Sequence, residues 1–184
     1  MRPTLRARSR AARRKLATDL SDTIFALSSG TPPCGVAVIR VSGPAAGGAL
    51  ERLTGALPSP RRASLRNVRD PESGWLDQAL VLWFPGPNTA TGEDYAEIHC
   101  HGGRAVIVAV ERALGSCGLR RALAGEFTRR AFLNGRMDLL EAEALGDMLS
   151  AETELQRAVL ANALEGGASA QVARWREAIL MASA

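Results

Sequence analysis

The period of the hydrophobic pattern changes at Gly125. Before it, short apolar and β-branched runs are separated by proline and glycine, the punctuation that strands require. After it, Glu126–Leu133 reads as one helix and Arg136 to about Leu164 as a second, with Leu140, Ala144, Met148 and Leu155 forming much of an apolar stripe. A chain patterned in this way folds as an α+β protein, a mixed sheet first and helices afterwards.

Within the first part, Asp22–Ser28 and Gly35–Val41 read as strands flanking a turn with Pro32 and Pro33, and Ala45–Leu53 reads as a short helix. Pro58–Arg69 is a basic loop or an edge strand. The apolar strand Leu76–Phe84 is stopped by Pro85, Gly86 and Pro87, because proline offers no ladder donor. Gly102 and Gly103 open a helix to about Leu114, with Val106, Ile107, Val110 and Leu114 on its buried side, and Gly115 and Gly118 end it. Gly166 and Gly167 precede a last helix from about Ser169. The helical part leaves apolar surface that needs a partner on this domain, on another chain or on further sequence.

Charge is unevenly spread. Residues 1–20 hold seven basic groups and one acid, which leaves 16 basic and 18 acidic groups in the other 164 residues. The high pI therefore describes the amino-terminal segment alone, and that segment lacks the apolar stretch of roughly 7–15 residues of a secretory signal. It is expected to be a disordered extension over residues 1–21, with RNA, a membrane surface and organelle targeting as the other roles open to it. The longest apolar run, around Ala79–Phe84, is far short of the roughly 20 residues that cross a bilayer. Cys34, Cys100 and Cys117 show no CxxC spacing, which fits a reduced, cytoplasmic chain.

Several chemistries find no support. There is no GxxxxGK[ST], and the sole lysine is Lys15, so a P-loop is absent from these residues; no GxGxxG occurs either. His99 and Cys100 point to opposite faces of a strand, which argues against a zinc site built on Cys34, His99, Cys100 and His101. No catalytic residue is assigned. The informative stretch is Thr91–Gly103. Alternation over Tyr95–Cys100 puts Tyr95, Glu97 and His99 on one strand face, and a histidine with two glycines follows at a helix start. Taken alone, Glu97 suits a ligand-binding carboxylate or a structural ion pair, and His101 a site residue or a loop-pinning one.

These segments carry a resemblance. Asp22–Ala26, Gly35–Gly43, Leu82–Asn88, Thr91–Asp94, His101–Gly103 and Gly125–Arg136 resemble, in order, the amino-terminal part of the MnmE (TrmE) family of tRNA-modification GTPases, over about residues 22–180. The resemblance implies a mixed-sheet domain like the tetrahydrofolate-binding domain of the glycine-cleavage aminomethyltransferase, joined to the first helices of a helical domain. It implies a homodimer that binds 5-formyltetrahydrofolate or a related reduced folate. It further implies work with GidA (MnmG) on C5 of the wobble uridine (U34) of tRNA, installing an aminomethyl-type group. Arg40 falls on a folate-binding arginine of the family, Glu97 on a folate-binding glutamate, and Arg136 on a basic position, often lysine, that also reaches the folate.

The expected division is a basic extension over 1–21, a folate-binding and dimerisation domain over 22–133, and a partial helical domain over 134–184. The family's GTPase domain, with its potassium- and magnesium-dependent chemistry, is expected beyond residue 184, so the chain is expected to be truncated and competent for folate binding and self-association. The rival functions are a stand-alone folate-dependent one-carbon transferase, which would continue into β-rich domains, and an RNA-binding adaptor acting through residues 2–15. Because no Walker lysine and Ser/Thr pair is present to hold β/γ-phosphates and magnesium, purified protein supplied with GTP, magnesium and potassium is expected to release no more phosphate than a buffer blank. Turnover that co-purifies with the chain would contradict this.

Overall fold

A computed structural model describes residues 21–165 and 167–183; the basic extension expected to be disordered falls, up to residue 20, outside the described residues. Two compact units are present, one ending at Ala124 and the other beginning at Gly125. Together the described residues form a mixed six-stranded sheet and six helices, an α+β architecture. No helix among them is long and apolar enough to cross a membrane.

The first unit contains β1 (Ile24–Leu27), β2 (Cys34–Ser42), α1 (Ala46–Thr54), β3 (Ser64–Asp70), β4 (Gly74–Phe84), β5 (Tyr95–Gly102), α2 (Arg104–Ser116) and β6 (Arg120–Arg121). The sheet order is β3-β4-β5-β2-β1-β6, antiparallel throughout except for the parallel β1–β6 pair. The Pro58–Arg69 segment, with two readings open in the sequence, is both: loop up to residue 63 and then the edge strand β3 from Ser64.

Alternation in the central strands sends Ala37, Ile39 and Val41 of β2, Ala79, Val81 and Trp83 of β4, and Ala96, Ile98 and Cys100 of β5 to one face. There α1, through Ala46, Ala49, Leu50 and Leu53, and α2, through Ile107, Val110, Ala113 and Leu114, complete a single apolar core. Removing each large aliphatic side chain from water contributes roughly 1.5–3 kcal/mol. The helix α2 ends as its glycines suggest, with Gly118 at φ 83° and the Leu119 N–H donating back to the Leu114 carbonyl at 3.3 Å.

The second unit contains α3 (Glu126–Leu133), α4 (Leu139–Met148), α5 (Glu154–Leu164) and α6 (Gly167–Ala182). The single helix expected from Arg136 to Leu164 is thus two helices. The reason is capping. Thr153 accepts from the Gln156 N–H while the Gln156 side chain accepts from the Thr153 N–H, and Asp138 and Glu141 make the same reciprocal pair at the start of α4. A threonine followed three residues later by glutamine is a helix-start signal lying inside the apolar period. Consequently Leu155 belongs to a different helix from Leu140, Ala144 and Met148.

Gly102 faces Cys34 across the β2–β5 ladder so closely that an added Cβ would lie 2.1 Å from the Cys34 carbonyl oxygen, whereas one at Gly48, exposed on α1, would meet nothing within 4 Å. Two Gly→Ala substitutions therefore carry opposite signs. Gly102→Ala is expected to destabilise the chain by about 2 kcal/mol or more, because backbone must shift, and Gly48→Ala to stabilise it by about 0.5–1 kcal/mol. Denaturant titration of both variants checks the pair.

Candidate functional site

On the sheet face opposite the core, β5 presents Tyr95, Glu97 and His99 in a row. The register of β2 sets Arg40 directly opposite Glu97, and the register of β4 sets Phe84, Leu82 and Leu80 opposite Tyr95, Glu97 and His99. Glu97 therefore has a cation on one side and an apolar strand on the other. Its Oε1 lies 3.3 Å from Arg40 Nε and accepts a hydrogen bond from the Tyr95 hydroxyl at 3.2 Å. Its Oε2 accepts from His99 Nε2 at 2.9 Å, since an ionised carboxylate can only accept. The Glu97 side chain is 19% exposed and that of Arg40 46%.

The Tyr95 ring is 5% exposed and packs on Phe84 with centroids 5.9 Å apart. Burial, above all, holds its phenol well above the ordinary value; Arg40 pulls it down, and Glu97 pushes it up by charge and by hydrogen bonding. Tyr95 is thus a standing donor to Glu97 at neutral pH.

The acid-bearing loop between β4 and β5 is tied to this face. The buried Ser42 hydroxyl donates to Glu93 at 2.7 Å and lies 2.6 Å from the Thr91 hydroxyl, while Asp94 accepts from the Gly86 N–H at 2.9 Å and through its backbone from the Gly43 N–H at 2.9 Å. Glu93 and Asp94 hold the loop, and Glu97 is the acid left facing the row of polar side chains.

His101 is a pinned residue. Asp77, 3% exposed, accepts from the His101 N–H at 2.7 Å and from the ring Nδ1 at 2.8 Å, and so joins β4 to β5 where their regular pairing has ended. Neither Asp77 nor Ser42 was singled out by the sequence. For Asp77 a signal existed: it stands in phase with Ala79, Val81 and Trp83, and a carboxylate on an apolar face implies a dedicated partner. Cys100 faces the core, and burial pushes its thiol up to about 11, so it is no thiolate near neutral pH.

The structure therefore brings two of the three anticipated residues, Arg40 and Glu97, into contact. Arg136 lies in the second unit, exposed, in the turn that ends α3: Gly135 takes φ 65° and the Arg136 N–H donates to the Ala131 carbonyl at 2.8 Å.

Residues 23–136 match the family described as "GTP-binding protein TrmE N-terminus". Among curated proteins, a tRNA modification GTPase MnmE of Novosphingobium aromaticivorans is 64% identical over 167 residues, covering 90% of this chain and 38% of that protein. One of Erythrobacter litoralis is 62% identical over 164 residues, covering 89% and 39%, and one of Sinorhizobium medicae is 54% identical over 165 residues, covering 89% and 38%. The chain spans well under half the length of these relatives.

Tyr95 is the sole tyrosine, so phenolate absorbance reports on the site. Half-ionisation in the folded chain is expected well above the free value of about 10. Glu97→Gln should lower it yet leave it raised, because burial is the larger cause, and Arg40→Ala should raise it further. The sign for stability follows: the folded state keeps a proton that the unfolded chain releases near pH 10, so this contribution is intact below about pH 10 and declines as pH rises above it. Ionisation of the folded chain at the free value would contradict the geometry.

Proposed function

The chain belongs to the family of the TrmE amino-terminal domain, and from that premise we propose that it is the reduced-folate-binding part of a tRNA-modification GTPase of the MnmE type, on a tetrahydrofolate-binding-like fold. In this reading it serves the aminomethyl-type modification of wobble uridine at C5, in the cytoplasm, as a homodimer that works with GidA (MnmG) on tRNA. Potassium and magnesium would serve the GTPase part of such proteins. Residues 22–133 would be the folate-binding and dimerisation domain and 134–184 part of the helical domain.

The observation that carries the reading is the Glu97 carboxylate, held 3.3 Å from Arg40 and bordered by Leu80, Leu82 and Phe84. A reduced pterin presents a ring N–H beside an exocyclic amine on a flat, weakly polar ring. A carboxylate accepts such a donor pair, and an apolar strand suits the ring face. The group fits these residues, and when bound it would supply a one-carbon unit. Glu97 would accept the donor pair, Arg40 would give its donors to ring oxygen or the glutamate tail, and Arg136, from the same chain or from the dimer mate, would add a cation, with a planar fork where the family often has the point charge of lysine.

Titration calorimetry with 5-formyltetrahydrofolate tests the assignment. Glu97→Gln and Arg40→Ala are each expected to weaken binding by about 10- to 1000-fold with the fold intact, as expected when one partner of a charged, partly buried contact is lost. Arg136→Ala is expected to have a smaller effect, because its side chain is exposed. Equal binding by wild type and Glu97→Gln would remove Glu97 from pterin recognition.

A further inference from the structure

The family resemblance gives no part in folate recognition to His99, although its ring bonds to Glu97. We infer that His99 is a positioning residue: together with Tyr95 it fixes the plane of the Glu97 carboxylate so that one acceptor site on each oxygen is presented to a pair of adjacent N–H donors on the ligand. The inference rests on the reduced-folate reading and says how that site tells a donor pair from a single donor.

The terminal torsion of a glutamate is broad and roughly two-fold, so no rotamer well sets the plane of its carboxylate. Donors have to set it. Each carboxylate oxygen has two lone-pair positions. Tyr95 fills one on Oε1 and His99 fills one on Oε2, from strand positions two before and two after Glu97. Arg40 lies 3.3 Å from Oε1 through Nε and is 46% exposed, an ion pair with freedom to leave. One bond per oxygen from the same strand leaves a second position on Oε2 and, once the half-exposed Arg40 withdraws, a second on Oε1, which is the arrangement a bidentate donor needs.

The surroundings of His99 direct it to this task. Its cross-strand neighbours are Val38 on β2 and Leu80 on β4, both apolar, and its ring bonds to Glu97. Tyr95 alone would leave Oε2 free to swing about the torsion. His99 removes that freedom.

The test is calorimetry on the 184-residue chain with two ligands, 5-formyltetrahydrofolate and its analogue carrying a methyl in place of the 2-amino group. Melting temperature serves as the check of fold. His99→Gln, which keeps a donor at similar reach, is expected to bind 5-formyltetrahydrofolate within about threefold of wild type, and His99→Leu about tenfold or more weakly. Discrimination is the decisive readout. Wild type should prefer the amino ligand by about 100-fold, the effect of losing one hydrogen bond to a charged acceptor, and His99→Leu should lose most of that preference by binding the methyl analogue nearly as well as wild type does. Unchanged affinity in a folded His99→Leu chain, or equal weakening for both ligands, overturns the positioning role while Glu97→Gln still reports on the folate reading. No binding by wild type overturns that reading, and this inference with it.

Discussion

The antiparallel pairing of β2 with β5 at the centre of the sheet is the constraint from which the rest follows. It sets Arg40 against Glu97 and Gly102 against Cys34, and it turns the core residues of both strands into the one apolar cluster that α1 and α2 complete. A slip of one residue would turn the apolar set outward and the charged set inward. What holds the register is the core: Ala37, Ile39, Val41, Ala96, Ile98 and Cys100 are all at most 2% exposed. Burying Ile39 and Ile98 alone outweighs a cross-strand ion pair, for which about 0.2–1 kcal/mol is usual. The site is carried by a register fixed elsewhere, so Arg40 and Glu97 are free to exchange partners without unfolding the sheet.

Buried polar groups extend that register into the loops. Removing Ser42, Thr91 and Asp77 from water costs stability unless each finds a partner. Ser42 meets Thr91 and Glu93, and Asp77 meets the backbone and ring of His101. These bonds join the β4–β5 loop to β2 and the end of β5 to β4. The surroundings of Glu97 are thereby set by the fold, which would spare the proposed binding the entropy of ordering them.

Much of this was legible in the sequence. The period-2 pattern placed Tyr95, Glu97 and His99 on one face, and the glycines at 115 and 118 marked the end of α2, because both signals are local. The break between α4 and α5 was missed: an apolar helical period continues across Leu149–Ala151, and only the Thr153–Gln156 pair, weaker than the periodicity, marks a new start. Arg40 opposite Glu97 depends on strand register across more than fifty residues, which no local pattern encodes; only resemblance brought the two together. Asp77 beside His101 was hidden for the same reason, although its position on an apolar face announced an unusual need.

The partial exposure of the Arg40–Glu97 pair has a physical consequence for recognition. A fully buried pair would incur a desolvation penalty comparable with its attraction, and removing either partner would leave a stranded charge. A fully exposed pair would be screened and worth little. Here the two ends differ: Glu97 is mostly buried and held by Tyr95 and His99, while Arg40 is nearly half exposed. Opening the pair therefore moves the cation and leaves the acceptor in place. In the proposed site an incoming donor pair would compete with one loose ion pair and not with the two hydrogen bonds that orient the carboxylate. The apolar row of Leu80, Leu82 and Phe84 borders the same carboxylate. A ligand that covers that row displaces water from it and lowers the local dielectric around Glu97, which strengthens the hydrogen bonds the carboxylate then accepts.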